Sequence, residues 1–291
     1  MTDASLPAEN QSSDVVVHIS DLHFGRGFQH APAERLTSLI NEMKPDAVVV
    51  SGDLTMRARA GQFADAARYL SALNAPKVII PGNHDVPLFD VITRTLRPQR
   101  NYHRYMDELS TNPLVLRHTG IFGLNTVTRW MHEKGRLRRG EVEFALSWMA
   151  SLPDSHWRLL VTHQQFFNLP ESARPGSLLL ARRHLARFSR GGAHAVLHGH
   201  IHCAHAVQAV EFLHDLPRPI AMVAAGTATC GRMRGSPERR VNSFNILHLS
   251  PVEMRVTRMD WNRESNDFQT GSLVQFPRAT FDVASPANQP L

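Results

Sequence analysis

Five short stretches of the chain carry side chains that could do metal or acid–base chemistry. Each follows an apolar run that predicts a buried strand, and the clearest is Gly82-Asn83-His84-Asp85 after the run 77–80. Because ligands in open α/β sheets collect at the carboxyl ends of the strands, we expect the five stretches to meet at one site. The candidate residues are carboxylates, imidazoles and one amide: Asp21, His23, Asp53, Asn83, His84, Asp85, His163, His200 and His202.

These residue types favour a site for two metal ions. Two cations about 3.5–4 Å apart need a carboxylate that can bridge them and nitrogen or oxygen donors around them. The set contains no sulfur ligand, which argues against a structural zinc site and favours Mn, Fe, Zn or a similar ion. Residues two apart on an extended segment point the same way. We therefore expect Asp21 to converge with His23, and His200 with His202.

The elements that must position these residues are predicted from the pattern of apolar residues. Strands over 14–20, 46–50 and 77–80 alternate with helices over 32–43 and 62–73. This order implies right-handed crossovers and a parallel sheet. Further strands are predicted over 121–126, 158–161 and 193–197, with helices over 141–149 and 179–188. From residue 204 onward, strand-like runs follow one another without helices, which predicts an antiparallel second half.

Two segments near the motifs have no single interpretation. The segment 86–117 is rich in arginine and aromatic residues and is predicted to be helical. It is either an amphipathic packing helix or a cap that shapes the substrate pocket. The loop 226–235, which has glycines, hydroxyls and two arginines, is either a solvated loop or a binder of a substrate phosphate or base.

Composition limits the class of protein and its partners. With 291 residues and 42% hydrophobic content, the chain can bury a sizeable core. Its net charge of +6 indicates an anionic partner. Two cysteines make no disulfide framework, and residues 1–13 lack the features of a signal peptide, so we expect a cytoplasmic protein. The predicted organisation is a disordered tail over 1–13, one domain over 14–280 and a loose tail over 281–291.

The five motifs resemble those of the calcineurin-like metallophosphoesterases. All five blocks of that family are present in order within residues 14–205: Asp21-Leu22-His23, Gly52-Asp53, Gly82-Asn83-His84-Asp85, His163 and Gly199-His200-Ile201-His202. The resemblance implies an α/β fold, a four-layer α/β/β/α sandwich of two mixed sheets flanked by helices.

The resemblance also implies a role for each site residue. One metal ion would be held by Asp21, His23, Asp53 and His202. The other would be held by Asp53, Asn83, His163 and His200, so that Asp53 bridges two divalent or trivalent ions. His84 would be the catalytic imidazole over the phosphate, and Asp85 would orient it. The implied reaction is phosphoester hydrolysis by a hydroxide that bridges the metals. In any structure, Asp21 and His202 must therefore meet.

The residues around the motifs resemble the bacterial cyclic-nucleotide phosphodiesterase branch, through Ile19-Ser20-Asp21-Leu22-His23 and Gly52-Asp53-Leu54-Thr55. Met56 stands where that branch often has a polar residue, which leaves the nucleotide specificity open. The alternative is a pyrophosphohydrolase of the UDP-diacylglucosamine type. His84 argues against this alternative, because such enzymes often have arginine there. The basic, aromatic segment 86–117 argues for it.

The expected partner is a small anionic phosphoester substrate. A nucleic acid is not favoured, since a DNA nuclease of this superfamily needs more chain for its capping and partner-binding regions. Peripheral membrane contact stays open, and no oligomeric state is predicted. A non-enzymatic scaffold is not favoured either, because scaffold members typically lose catalytic or metal residues and none is lost here.

Overall fold

Two six-stranded sheets form the centre of the protein, in a computed structural model that describes residues 13–168, 178–236 and 240–278. The predicted tails at 1–13 and 281–291 lie outside these ranges, apart from Ser13. In spatial order, the first sheet contains β12 (Asp267–Pro277), β11 (Glu253–Asn262), β10 (Ser243–Leu249), β1 (Asp14–Ile19), β2 (Ala47–Val50) and β3 (Lys77–Ile79). The second contains β4 (Leu114–Val115), β5 (Thr119–Gly123), β6 (Trp157–Val161), β7 (Ala195–His198), β9 (Ala221–Ala224) and β8 (His205–Gln208).

Six α-helices are described, and four of them match predicted helices to within a few residues. They are α1 (His30–Met43), α2 (Ala60–Ser71), α3 (Val91–Leu96), α4 (Arg100–Met106), α5 (Arg139–Ser151) and α6 (Ala181–Arg190). Strands β1, β2 and β3 pair in parallel, and α1 and α2 connect them. The predicted β-α-β-α-β order is therefore confirmed.

Three apolar clusters separate four layers of structure. Between the sheets, Val16 and Val49 of the first sheet pack with Leu159 and Leu197 of the second. The next residue along β1, Val17, belongs to the cluster on the opposite face, where α1, α2 and α4 pack. Helices α5 and α6 cover the outer face of the second sheet. This order confirms the predicted four-layer α/β/β/α sandwich of two mixed sheets flanked by helices.

The second half of the chain is only partly antiparallel. Strands β10, β11 and β12 form an antiparallel series, and β10 extends the first sheet by pairing antiparallel with β1. Strand β9, however, pairs in parallel with β7 and antiparallel with β8. The expectation of an antiparallel second half was wrong for β9, because an apolar run does not reveal which neighbour a strand takes.

The segment 86–117 forms two short helices and a two-residue strand rather than one long helix. Tyr102 and Met106 of α4 are buried against the first sheet, and the Tyr102 hydroxyl donates to the carbonyl of Ile79 at 2.8 Å. In α3 no residue is buried. The interpretation as a packing helix is therefore right for α4 and does not apply to α3. No helix among the described residues is long and apolar enough to cross a membrane.

We expect the stability of the fold to depend on the neutral form of His194. Burial, reinforced by Arg278, Arg158 and Arg218, lowers the pKa of His194 to about 3. Its Nδ1 accepts the backbone N–H of Arg158 at 3.0 Å. Since this pKa lies below the unfolded value, stability is lost as the pH falls below about 6.5, by about 1.4 kcal/mol per pH unit.

The variant His194→Asn keeps an acceptor for the Arg158 N–H but does not titrate. Urea unfolding at pH 7.5 and 5.0 should show wild type losing about 2 kcal/mol more than this variant across that range. Equal losses in the two proteins would show that His194 is not neutral in the native state.

Candidate metal centre

The carboxyl ends of β1, β2 and β3 in one sheet meet those of β6 and β7 in the other. All nine predicted site residues lie at this junction, on the segments that follow these strands. Each is nearly closed to solvent, with no more than 6% of its surface exposed in the most accessible case, His84. The sandwich therefore brings together residues that are far apart in the chain, such as His23 and His202, which are separated by 179 positions.

The first group of donors contains Asp21, His23, Asp53 and His202. Each offers one ligand atom, and these atoms all lie within 4.8 Å of one another. His202 Nε2 is 3.1 Å from Asp21 Oδ1 and 3.1 Å from His23 Nε2. The expected meeting of Asp21 and His202 is confirmed.

The second group of donors surrounds His163. Its Nε2 is 3.0 Å from Asn83 Oδ1 and 3.3 Å from Asp53 Oδ1. The ring of His200 lies 5.1 Å from the His163 ring, between centroids. The other oxygen of Asp53, Oδ2, is 3.5 Å from His23 Nε2 in the first group. One carboxylate thus presents an oxygen to each of the two groups.

Main-chain carbonyls fix the orientation of two of these imidazoles. The Nδ1 atom of His163 lies 2.7 Å from the Ser51 carbonyl oxygen, and that of His202 lies 2.8 Å from the Arg232 carbonyl oxygen. A carbonyl can only accept, so each Nδ1 is the donor, and in the neutral ring each Nε2 presents its lone pair to the cluster. This arrangement is typical of histidines that bind metals.

The negative charge of the buried carboxylates in the cluster favours positive charge beside them. Burial opposes the ionisation of Asp53, but His163 and His84 outweigh it and hold the pKa of this carboxyl well below its ordinary value. Burial lowers the pKa of His163, yet Asp53 and Asp21 outweigh this effect and raise it to about 9. Cations at Nε2 would supply the charge that a proton otherwise provides. The buried Asp/His cluster therefore fits a binuclear metal site.

The backbone at the site is left-handed rather than extended. The φ angle is positive at five of the candidate residues, namely Asp21 (54°), His23 (50°), Asp53 (52°), His200 (70°) and His202 (56°). Asp21 and His23 converge as expected, with His23 Nε2 3.6 Å from Asp21 Oδ1, but the reason given from an extended segment was wrong. His200 and His202 lie in different donor groups, His200 beside His163 and His202 beside Asp21. The backbone is also crowded here: a Cβ on Gly82 would collide with the backbone nitrogen and the carboxylate of Asp53.

His84 and Asp85 do not interact as the resemblance implied. The Asp85 carboxylate accepts backbone N–H groups of Leu54, Thr55 and Gly82 at 3.0, 2.8 and 2.9 Å. The His84 imidazole is held instead through Nδ1, which lies 3.0 Å from the carbonyl oxygen of Met56. Asp85 therefore fixes the loop after β2, and the Met56 carbonyl on that loop contacts the imidazole. In this structure Asp85 influences the orientation of His84 through the loop rather than through a contact with the imidazole.

Three residues around His84 escaped sequence reasoning. Met56 was considered only as a departure from a motif, although its carbonyl holds the imidazole. The ring of His132 lies 5.1 Å from the His84 ring, and Nη1 of Arg232 lies 3.5 Å from His84 Nε2. The loop that contains Arg232 was singled out by its composition, but nothing in the sequence distinguished Arg232 from its neighbours. No signal pointed to His132.

Comparison with known proteins agrees with this geometry. Residues 15–204 match the calcineurin-like phosphoesterase family, and the chain belongs to that family. The family and the Asp/His cluster together define a metal-dependent hydrolase.

Matches to curated relatives are partial. The chain is 35% identical over 118 residues to the glycerophosphodiester phosphodiesterase GpdQ of Enterobacter lignolyticus, which covers 35% of this chain and 42% of that protein. It is 28% identical over 109 residues to the UDP-2,3-diacylglucosamine pyrophosphatase LpxG of Chlamydia muridarum, covering 37% of this chain and 32% of that protein. The chain thus spans less than half the length of these relatives.

Solved structures share the fold at low sequence identity. A purple acid phosphatase from yellow lupin seeds has a TM-score of 0.64 and 12% identity, covering 92% of this chain and 54% of that one. The structure of PhoD has a TM-score of 0.62 and 11% identity, covering 92% of this chain and 73% of that one. At such identities, these similarities concern the fold alone.

We expect Asp53→Asn to lower the metal content at both positions, because the amide offers one oxygen where the carboxylate offers two. Inductively coupled plasma mass spectrometry should find fewer than one ion per chain, against two in wild type. The matched control is Asp14→Asn, since Asp14 is an equally buried carboxylate (2% exposed) outside the cluster. It should keep both ions. Two ions per chain in Asp53→Asn would contradict a shared carboxylate.

Proposed function

We propose that this protein is a phosphodiesterase that works with two bound metal ions. The observation that carries the proposal is Asp53, whose two oxygens face two separate donor groups. The first ion is assigned to Asp21, His23, Asp53 and His202, and the second to Asp53, Asn83, His163 and His200. Donors of nitrogen and oxygen without sulfur favour Mn, Fe or Zn.

When bound, two such ions lower the pKa of a shared water and take up charge on the phosphoryl oxygens. The chain itself contributes the His84 imidazole. Because the Met56 carbonyl accepts from Nδ1, the atom that faces the site is Nε2. Because Nδ1 carries the proton of this bond, Nε2 holds a proton only in the imidazolium form, and in that form it would be placed to pass the proton to the leaving oxygen of the substrate. The backbone N–H of His84 donates to Asp53 Oδ1 at 2.8 Å, which ties the main chain of His84 to the Asp/His cluster.

The substrate class that we propose is a small phosphodiester, with a 3′,5′-cyclic nucleotide as the leading candidate. The similarity to a glycerophosphodiester phosphodiesterase supports the diester class. The net charge of +6 also suits an anionic substrate. We propose a cytoplasmic location, because two cysteines in a chain of this length make no disulfide framework.

His84→Ala should separate chemistry from metal binding. We expect two ions per chain and a loss in kcat of about 10²–10⁴-fold, as for removal of a positioned acid. The loss should be smaller for bis-p-nitrophenyl phosphate than for esters with alkoxide leaving groups, because p-nitrophenolate needs little protonation. An equal loss on both kinds of ester would make the role of the imidazole purely electrostatic. A variant that binds only one ion would instead make His84 a ligand.

A second candidate function is hydrolysis of a lipid-linked diphosphate of the UDP-diacylglucosamine type. The observation that favours it is an exposed apolar surface, the α3 surface, formed by Phe89, Val91, Ile92, Leu96 and Trp130. These side chains expose 78, 65, 74, 75 and 66% of their surface. Apolar groups exposed together in this way mark binding surfaces. The similarity to a UDP-2,3-diacylglucosamine pyrophosphatase supports the same candidate.

The α3 surface lies beside the metal centre and carries positive charge. Trp130 is two residues from His132, whose ring contacts that of His84. The guanidinium of Arg57 lies 5.7 Å above the Phe89 ring, and that of Arg129 lies 5.8 Å above the Trp130 ring. Aromatic and aliphatic side chains among arginines suit acyl chains next to phosphate groups.

The pair Ile92→Ser and Leu96→Ser tests this candidate. Burial of these side chains against acyl chains would contribute about 1 kcal/mol each, so kcat/KM on a diacylated UDP-glucosamine should fall at least about tenfold. Activity on bis-p-nitrophenyl phosphate should stay within about twofold. The control pair is Val252→Ser and Leu273→Ser, exposed by 73 and 55% elsewhere. The candidate fails if wild type does not hydrolyse the diacylated substrate, or if both pairs behave alike.

A further inference from the structure

The loop 226–234 is attached to the metal centre along its length. The hydroxyl of Thr227 donates to the carbonyl of Asp21 at 2.7 Å, and that of Thr229 donates to the carbonyl of Leu22 at 2.9 Å. The loop also reaches the other sheet, since the Arg234 N–H donates to the carbonyl of His202 at 3.1 Å. Both hydroxyls lie on fully buried residues. The loop is therefore held against the site by hydrogen bonds and is not a solvated connection.

Arg232 lies at the point where this loop passes over His84. Its carbonyl accepts from Nδ1 of His202 at 2.8 Å, so its main chain is fixed to the metal centre. Its guanidinium Nη1 lies 3.5 Å from His84 Nε2 and 3.6 Å from the Met56 sulfur. Arg232 thus contacts His202 of the cluster through its main chain and the His84 imidazole through its side chain.

The Arg232 guanidinium has no carboxylate partner in the described part of the chain. Its neighbours are an imidazole nitrogen that accepts one hydrogen bond and a thioether, which is a weak acceptor. A guanidinium is charged at any ordinary pH, and its planar set of donors matches phosphate oxygens in a bidentate manner. The positive charge of a half-buried guanidinium is incompletely compensated when no anion lies beside it. The surroundings of Arg232 therefore suit an anion that enters from solvent.

We infer that the Arg232 guanidinium, next to His84, forms an oxyanion subsite beside the metal centre that binds a non-bridging oxygen of the substrate phosphodiester and of the phosphomonoester product. The inference rests on the proposed function for its substrate, but the subsite itself can be tested with inorganic phosphate. The His202 contact involves only the main chain, so substitution of the Arg232 side chain leaves it in place.

The experiment is calorimetric titration of orthophosphate into protein that carries both metal ions, with metal content verified by mass spectrometry. Arg232→Ala should weaken phosphate binding at least tenfold. Arg232→Lys should fall between this variant and wild type, because lysine keeps the charge but not the planar fork. The matched control is Arg240→Ala, an exposed arginine whose guanidinium donates to the Gly235 carbonyl. It should bind phosphate as wild type does.

A purely structural role for Arg232 makes a different prediction. If the side chain only holds His84 in place, Arg232→Ala should have no effect on phosphate affinity in a His84→Ala background. If it binds phosphate itself, the loss should persist there. Phosphate affinity within twofold of wild type in Arg232→Ala that carries both ions would overturn the inference.

Kinetic measurements test the role of Arg232 independently of phosphate binding. On bis-p-nitrophenyl phosphate, Arg232→Ala should lower kcat/KM by about 10²–10³-fold, as for removal of one donor to a developing oxyanion. If wild type hydrolysed no diester, the proposed function would fail. The phosphate titration would still decide whether Arg232 binds anions.

Discussion

The structure depends on the concentration of carboxylates and imidazoles in a space that excludes water. Asp21 and Asp53 are buried beside His23, His163 and His202, and their ligand atoms approach to about 3.1–3.6 Å. Charges removed from water are costly unless they are compensated nearby. The same requirement for compensation explains why imidazole nitrogens face inward while their opposite nitrogens are tied to main-chain carbonyls. A pair of cations would satisfy this requirement.

The crowding of carboxylates and imidazoles strains the backbone, and contacts with the surrounding fold offset this strain. Left-handed φ values at five non-glycine residues cost about 1–3 kcal/mol each, and they persist only where neighbouring contacts determine the conformation. Here those contacts come from both sheets. The buried carboxylate of Asp85 joins the turn after β3 to the loop after β2 through three backbone N–H groups. The inter-sheet cluster of apolar side chains then keeps the strand ends in register.

The residues around the His84 imidazole come from different elements than the residues of the buried Asp/His cluster. The cluster donors follow regular strands, whereas Met56, His132 and Arg232 lie in irregular segments. Those segments are nonetheless held, because the Thr227 hydroxyl and the Arg232 carbonyl bond to the centre itself. The α3 surface, with no buried residue in its helix, is joined to the segment that contains His132 by a hydrogen bond from Arg129 to the carbonyl of Thr95.

The sequence by itself determined the order of strands and helices in the first sheet and which nine polar residues would gather at the strand ends, and the resemblance of its motifs implied the four layers. Buried strands such as Ala47–Val50 are apolar throughout because both faces of each sheet are covered, and polar motifs directly after such runs mark the strand ends. Tertiary structure alone decided that β9 joins β7 in parallel, that Asp85 holds a loop rather than an imidazole, and that Arg232 reaches His84. These outcomes depend on contacts between residues far apart in the chain, such as the 148 positions between His84 and Arg232. Local residue patterns carry no record of such contacts, because the pairing energy arises only after the layers have packed.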